Sequence, residues 1–220
     1  MKIETHFHTA QVSPCGRVMA EEGIRLYHES GFHAVVVTDH FSSGVMGKEG
    51  AWDEKVERLL SGYRAALQTG KELGVRVYLG MEIRFEENEN DYLRYGVTPE
   101  FLYEHPWIYL ESKETFSEIS RENGFCMIQA HPMRGNCTPV DPALLDGYEG
   151  YNGNPRHNSR NAQARSVAEE CGLVWTSGSD FHHVEDLATG GIEMDTLPAD
   201  ERELADRIKQ GQFKNIIPAD

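Results

Sequence analysis

Apolar residues along this chain recur in two rhythms that take turns. Lys2 to His8 alternates as a strand does, and Ala34-Val35-Val36-Val37 is an unbroken run with the character of a strand buried on both faces. Between them, Met19 to Ser30 has helical spacing, with Gly31 as its stop. Asp53 to Leu73 is a long helical stretch ended by Gly74, and Arg76 to Phe85 follows as a strand. Glu114 to Asn123 predicts a helix closed by Gly124, Cys126 to Ala130 a strand, and Gly147 to Asn152 another. Asn158 to Cys171 predicts a helix ended by Gly172, Leu173 to Ser177 a strand, Gly191 to Met194 a weaker strand, and Ala199 to Gln210 the last helix. Two less regular stretches, Phe41 to Trp52 and Glu86 to Trp107, read as loops that follow strand ends.

Strand–helix units repeated in this way imply a mostly parallel sheet, and six or seven of them can close into a barrel. Barrels of this kind carry their chemistry at the C-terminal ends of the strands. The expected architecture is therefore α/β, a mostly parallel sheet able to close into a TIM-like barrel, in one domain spanning residues 1–220.

Composition adjusts that picture only slightly. The hydrophobic fraction of 39% and charged fraction of 26% are ordinary for a globular domain. No apolar run is long enough to cross a bilayer, and Met1-Lys2-Ile3-Glu4 enters a strand at once, so a cytoplasmic location without a signal peptide or membrane contact is expected. Asp and Glu outnumber Lys and Arg 36 to 21, for a net charge of -15, which argues against broad nucleic-acid binding but leaves room for a small phosphorylated substrate. Cys15, Cys126, Cys137 and Cys171 are widely spaced and form no CxxC pair, as expected of free thiols. Nothing in the pattern assigns an oligomeric state.

The candidate chemistry sits at the ends of the predicted strands. His6 and His8 share one face of the first. Thr38-Asp39-His40 closes the second, Glu82 lies near the end of the third, Ala130-His131-Pro132 ends a later one, and Ser179-Asp180-Phe181-His182-His183 comes last. Each group alone has a bland reading: a solvated strand end, a capping Asp, a core histidine. Together, imidazoles and carboxylates at successive strand ends point to one polynuclear site for divalent transition metals and so to hydrolysis. Arg134 is placed to reach a phosphate oxygen, with a solvated loop arginine as its plain alternative, and Arg156 and His157 are further candidates for phosphate contact or leaving-group protonation. Asp39 is expected to accept a proton from a ligand imidazole. His28, His33 and His105 read as structural or exposed, and His183 as peripheral to the site.

These phrases, H-x-H, T-D-H, G-x-E, A-H-P and G-S-D-x-H in that order, resemble the polymerase and histidinol phosphatase (PHP) superfamily over nearly the whole chain. The resemblance implies that the barrel is a distorted (β/α)7 TIM-like barrel of seven strands and seven helices, with a trinuclear site for zinc, manganese or iron, and it implies phosphoester hydrolysis. It implies that His6, His8 and Asp180 hold one cation, that Glu82 bridges it to a second joined by His131, and that His40 and His182 hold a third. Two positions depart from the family pattern. Cys15 stands where a carboxylate is usual, and its thiolate would suit zinc. Asp91 stands where a histidine is usual, and a carboxylate there would suit a harder ion such as manganese. A buried free thiol and an ordinary turn Asp are the alternatives at these two positions. The expected activity is a phosphoesterase for a small phosphomonoester. A histidinol phosphatase, a nucleotide or oligonucleotide phosphoesterase, and a metal-binding module without turnover are the other readings.

Overall fold

A computed structural model of the chain describes residues 1–218. Its ten strands, in chain order, are β1 (Lys2–Phe7), β2 (Ala34–Val37), β3 (His40–Phe41), β4 (Arg76–Arg84), β5 (Asp91–Tyr95), β6 (Cys126–Gln129), β7 (Gly147–Asn152), β8 (Val174–Gly178), β9 (Ile192–Glu193) and β10 (Lys214–Asn215). The helices are α1 (Ala20–Glu29), α2 (Ser43–Met46), α3 (Trp52–Leu73), α4 (Pro99–Glu104), α5 (Lys113–Glu122), α6 (Asn161–Glu170) and α7 (Glu201–Lys209).

Seven staves in the order β1-β2-β4-β5-β6-β7-β8 curl into a nearly closed barrel. Parallel pairing links β1 to β2, β2 to β4, β6 to β7 and β7 to β8, whereas β5 is antiparallel to both β4 and β6. The seam between β1 and the end of β8 is stitched by His8 N–H donating to Phe181 O and Phe181 N–H to His6 O, 3.0 Å each. Below that seam β9 pairs antiparallel with the start of β1 and carries β10 on its outer edge.

Helix boundaries fall within a few residues of the expected ones, the usual fraying of helix ends. The apolar stripes of α1 and α3 pack on the outer face of β1 and β2, where Phe7, Val35 and Val37 meet Ile24, Tyr27 and Ala66. Gly23 makes the α1 contact possible, because a Cβ there would lie 2.5 Å from Phe7 Cζ, and Phe7 itself stacks on Phe181 with ring centroids 5.0 Å apart.

The two stretches read as loops need correction. Phe41 to Trp52 contains α2, and β3 begins just ahead of it at His40. Glu86 to Trp107 contains β5 and α4. The strand β5 escaped notice because all five of its residues are buried, Asp91 and Arg94 among them, so burial left no polar–apolar alternation to read. Its reversed direction matters for the site. Asp91 opens β5 opposite Arg84 near the end of β4, so a strand start is delivered to the end of the barrel where the other staves finish.

Candidate metal centre

Every predicted ligand comes to this one end of the barrel. His6 and His8 flank Phe7 at the end of β1, His40 follows β2, Glu82 lies in β4 and Asp91 starts β5. His131 follows β6, and Asp180 and His182 follow β8. His6, His8, Glu82, Asp91, His131, Asp180 and His182 are all buried, and His40 is partly so.

Glu82 is the hub. Its Oε1 lies 3.3 Å from His6 Nε2 and 3.2 Å from His131 Nε2, and its Oε2 lies 3.4 Å from His8 Nε2 and 2.8 Å from His40 Nδ1. Asp180 Oδ1 faces His6 Nε2 at 3.4 Å, His8 Nε2 at 3.6 Å and His182 Nδ1 at 3.3 Å. Three triads have ligand atoms within 4.8 Å of one another: His6 with His8 and Asp180, His8 with His40 and His182, and His40 with Glu82 and Asp91.

Two buried ring nitrogens at the centre, His6 Nε2 and His8 Nε2, have no hydrogen-bond partner, and Glu82 Oε2 has none beyond its 2.8 Å approach to His40 Nδ1. Lone pairs buried in that state are costly, and native interiors avoid them. A cation satisfies all three, and imidazole nitrogen with carboxylate oxygen is a donor set for first-row divalent metals. The residues therefore fit a divalent cation.

The surroundings fix which ring nitrogens point inward. Glu149 Oε1 takes His6 Nδ1 at 2.8 Å, while its Oε2 accepts His131 N–H at 2.9 Å and Asn152 Nδ2–H at 2.8 Å. Ser13 Oγ lies 3.1 Å from His8 Nδ1 and donates to Asp39 Oδ1 at 2.7 Å. Since the serine proton goes to Asp39, its oxygen is left to accept from the imidazole. Contrary to the expectation from sequence, Asp39 thus does not itself accept a ligand imidazole's proton. It is occupied by Thr9 N–H, Thr9 Oγ–H and Ser13, and acts on His8 through Ser13. The carboxylate that takes the outward nitrogen of a candidate ligand imidazole is Glu149, which sequence reasoning missed. The available hint was a lone acid inside the buried strand Gly147–Asn152.

Burial opposes charge throughout the cluster, yet the net directions differ. His6 is raised well above the usual imidazole range because Glu149, Asp180 and Glu82 outweigh burial. His8 is lowered well below it, burial being reinforced by the His182 and His40 rings. Burial would raise Glu82, but His40 and His6 hold it well below the carboxylate range. His131 and Asp180 both sit at positive φ, +29° and +52°, a conformation that side chains other than glycine seldom adopt, so two candidate ligands carry backbone strain.

The remaining candidates separate. Asp91 is held by Arg84 through Nε and Nη2 at 2.7 and 2.5 Å, and its Oδ2 lies 3.9 Å from His131 Nε2. Cys15 is exposed, not buried, and its sulfur belongs to none of the triads. Burial pushes its thiol up, but His182 and His40 bring it down to about 6. Arg134 is no free loop arginine: Nη2 donates to Asp180 Oδ2 at 2.7 Å and Asn152 Oδ1 at 2.6 Å. Arg156 is paired with Asp186, and His157 is exposed beside it. All of these line one cleft of about 480 Å³ above the cluster, together with His183. His33 and His105 make backbone contacts elsewhere, with Lys2 N–H and Phe101 O.

Residues 158–213 match the PHP-associated family, PHP_C. No protein of curated function matches the sequence. Among solved structures, a two-domain protein from Bacteroides vulgatus containing a predicted PHP-like metal-dependent phosphoesterase superposes with a TM-score of 0.66 at 14% identity, over 99% of this chain and 64% of its own. PsfC from Pseudomonas syringae gives 0.69 at 14% identity, over 99% of this chain and 91% of its own. An amidohydrolase from Chromobacterium violaceum, with bound sulfate and no metal, gives 0.55 at 15% identity, over 100% of this chain and 99% of its own. This chain spans just under two thirds of the Bacteroides protein. At such identities the likeness speaks for the barrel itself. No helix among the described residues is long and apolar enough to cross a membrane. The PHP-associated match over the last quarter of the chain and the barrel it shares with a PHP-like protein both support a place in the PHP superfamily.

Proposed function

We propose that this chain is a metal-dependent phosphoesterase acting on a small phosphomonoester. The observation that carries the reading is the convergence of unpartnered His6 Nε2 and His8 Nε2 on the buried Glu82 carboxylate beneath an open cleft. On this reading His6, His8 and Asp180 would hold one cation, Glu82 and His131 would stand beside a second, and His40 with His182 would hold a third. Zinc, manganese and iron all suit these donors. Cations bound there would neutralise phosphate charge and make water acidic enough to supply a nucleophile near neutral pH.

The protein's own part is placement. Glu149 and Ser13 hold the inward nitrogens of His6 and His8 in their tautomers. Arg134 clamps Asp180 Oδ2, which leaves Oδ1 turned toward the imidazoles, and its Nη1 remains for a phosphate oxygen at the cleft floor. His157 is lowered by partial burial and by Arg134, so it is neutral near pH 7 and hydrogen-bonds a leaving oxygen without carrying a stored proton. No side-chain nucleophile is needed. The sulfate bound by the Chromobacterium relative is of the same shape and charge class as phosphate, which is consistent with this reading.

The test is metal analysis of the purified chain followed by aryl phosphate hydrolysis with added manganese or zinc. His8→Ala and Asp180→Ala should each lose at least about 100-fold in kcat/KM and part of the bound metal. Full activity in either variant sinks the reading.

A further inference from the structure

Arginine, histidine, asparagine, carboxylate, glycine and cysteine side chains make the wall of the 480 Å³ cleft. Among the described residues that line it, none is aliphatic and none is aromatic apart from the imidazoles. The adjoining depression that shares Arg84 and Glu89 is equally hydrophilic except for Phe85, which is 2% exposed. Pockets for hydrocarbon or heteroaromatic ligands are lined mainly by apolar and aromatic side chains. A nucleobase is held by stacking on aromatic faces. Apart from its imidazoles this cleft offers neither surface, and its volume lies toward the small end of the range for ligand pockets.

One cation on the rim is built into place with an edge to spare. Arg156 Nη1 donates to Asp186, whose side chain is fully buried. The second oxygen of Asp186 accepts the N–H groups of His182 and His183, both at 2.8 Å. Asn154 Oδ1 accepts Arg156 N–H at 3.0 Å, and Asn154 Nδ2 donates to Asp180 O at 3.0 Å. The guanidinium therefore stands on the same frame that carries Asp180 and His182. Its Nε and Nη2 have no protein partner among the described residues, and this edge of a guanidinium matches a planar carboxylate.

We propose that the substrate is a compact phosphomonoester whose short, hydrophilic limb ends in a carboxylate, and that Arg156 binds that carboxylate. The phosphate end rests on the phosphoesterase reading above; the carboxylate end rests on the cleft wall and on Arg156 alone.

A matched pair of ligands tests it. 3-Phosphoglycerate and glycerol 3-phosphate differ only by a carboxylate in place of a hydroxymethyl group. Their binding to the manganese-loaded full chain is measured by calorimetry or by competition, and phosphate release is followed in the same samples. The carboxylate ligand should bind at least about tenfold more tightly, the value of one charge-assisted contact. Adenosine 5′-monophosphate should bind more weakly than either. Arg156→Gln should shrink the gap within the pair to less than about threefold, and Arg156→Lys, which can keep the ion pair with Asp186, should retain part of it. Equal binding of the pair by the unaltered protein, preference for the nucleotide, or a gap untouched by Arg156→Gln would overturn the proposal. Tight, carboxylate-dependent binding without phosphate release from any phosphomonoester would sink the phosphoesterase reading and leave the carboxylate site standing.

Discussion

Glu149 reaches across the barrel floor from β7 to take His6 Nδ1 at 2.8 Å, and its other oxygen holds the backbone N–H of His131 at 2.9 Å. One buried carboxylate thus sets two candidate ligands that lie 125 positions apart in the chain. Glu149→Gln is isosteric but cannot accept both bonds as an anion. Partners of ligand imidazoles typically carry a 10- to 100-fold effect on metal affinity, so a loss of about that size is expected. Competition against a fluorescent chelator reads it directly, and unchanged affinity would assign Glu149 a purely structural role.

Ser13 links Asp39 to His8, and the space it works in is protected from a distance. A Cβ at Gly62 on α3 would lie 2.3 Å from Thr9 Oγ1 and 2.6 Å from Asp39 Oδ2. Gly62→Ala should therefore destabilise the fold by about 1–3 kcal/mol in spite of alanine's better helix propensity. Chemical denaturation checks the stability. Hydrolysis should fall as well, although the position makes no contact with the cleft.

In the metal-free chain, His131 is raised to about 9 and His182 to about 10, chiefly because hydrogen bonds and nearby anions outweigh burial. A group whose folded pKa lies above its unfolded value stabilises the fold fully below the unfolded value, near 6.5, and loses that contribution as pH rises through the folded one. The metal-free protein should thus lose stability between about pH 7 and 10. Thermal melts in chelator across that range test it. Cation binding needs neutral imidazoles, so it should release protons at pH 7.5 and strengthen as pH rises, which calorimetry in two buffers of different ionisation enthalpy resolves.

Cys15 and Cys126 should differ sharply in reactivity. Cys15 is exposed with its thiol brought to about 6, whereas Cys126 is fully buried and pushed well above the ordinary thiol range. Near pH 7, iodoacetamide should modify Cys15 well before Cys126, as mapped by mass spectrometry. Protection of Cys15 by added zinc would mark its sulfur as a ligand; undiminished labelling would leave it a bystander to the cations.

Removing Phe7 addresses the seam of the barrel. Its ring stacks on Phe181, and the neighbouring backbone bonds join His6 and His8 to Phe181. Phe7→Ala should cost about 3–5 kcal/mol and weaken metal binding along with stability, because the residues it flanks are ligands. Separate titrations of unfolding and metal affinity should shift together.

Much of this was legible from the order of residues. Runs such as Ala34–Val37 can be satisfied only by burial on both faces, and glycines at 31, 74, 124 and 172 end helices because they accept positive φ. Histidines and acids placed where those strands stop marked one end of a barrel before any contact was known. Three things needed the folded molecule. The reversed strand β5 is paired between β4 and β6, and its burial erased the alternation that would have announced it. Arg134 became a clamp on Asp180 only when the turn after β6 met the one after β8. Glu149, a lone acid in strand β7, gained its meaning only beside His6 and His131. Local sequence dictates backbone preference and which faces must leave water. Which buried acid meets which imidazole depends on barrel closure, and that brings together groups whose spacing along the chain says nothing about their distance in space.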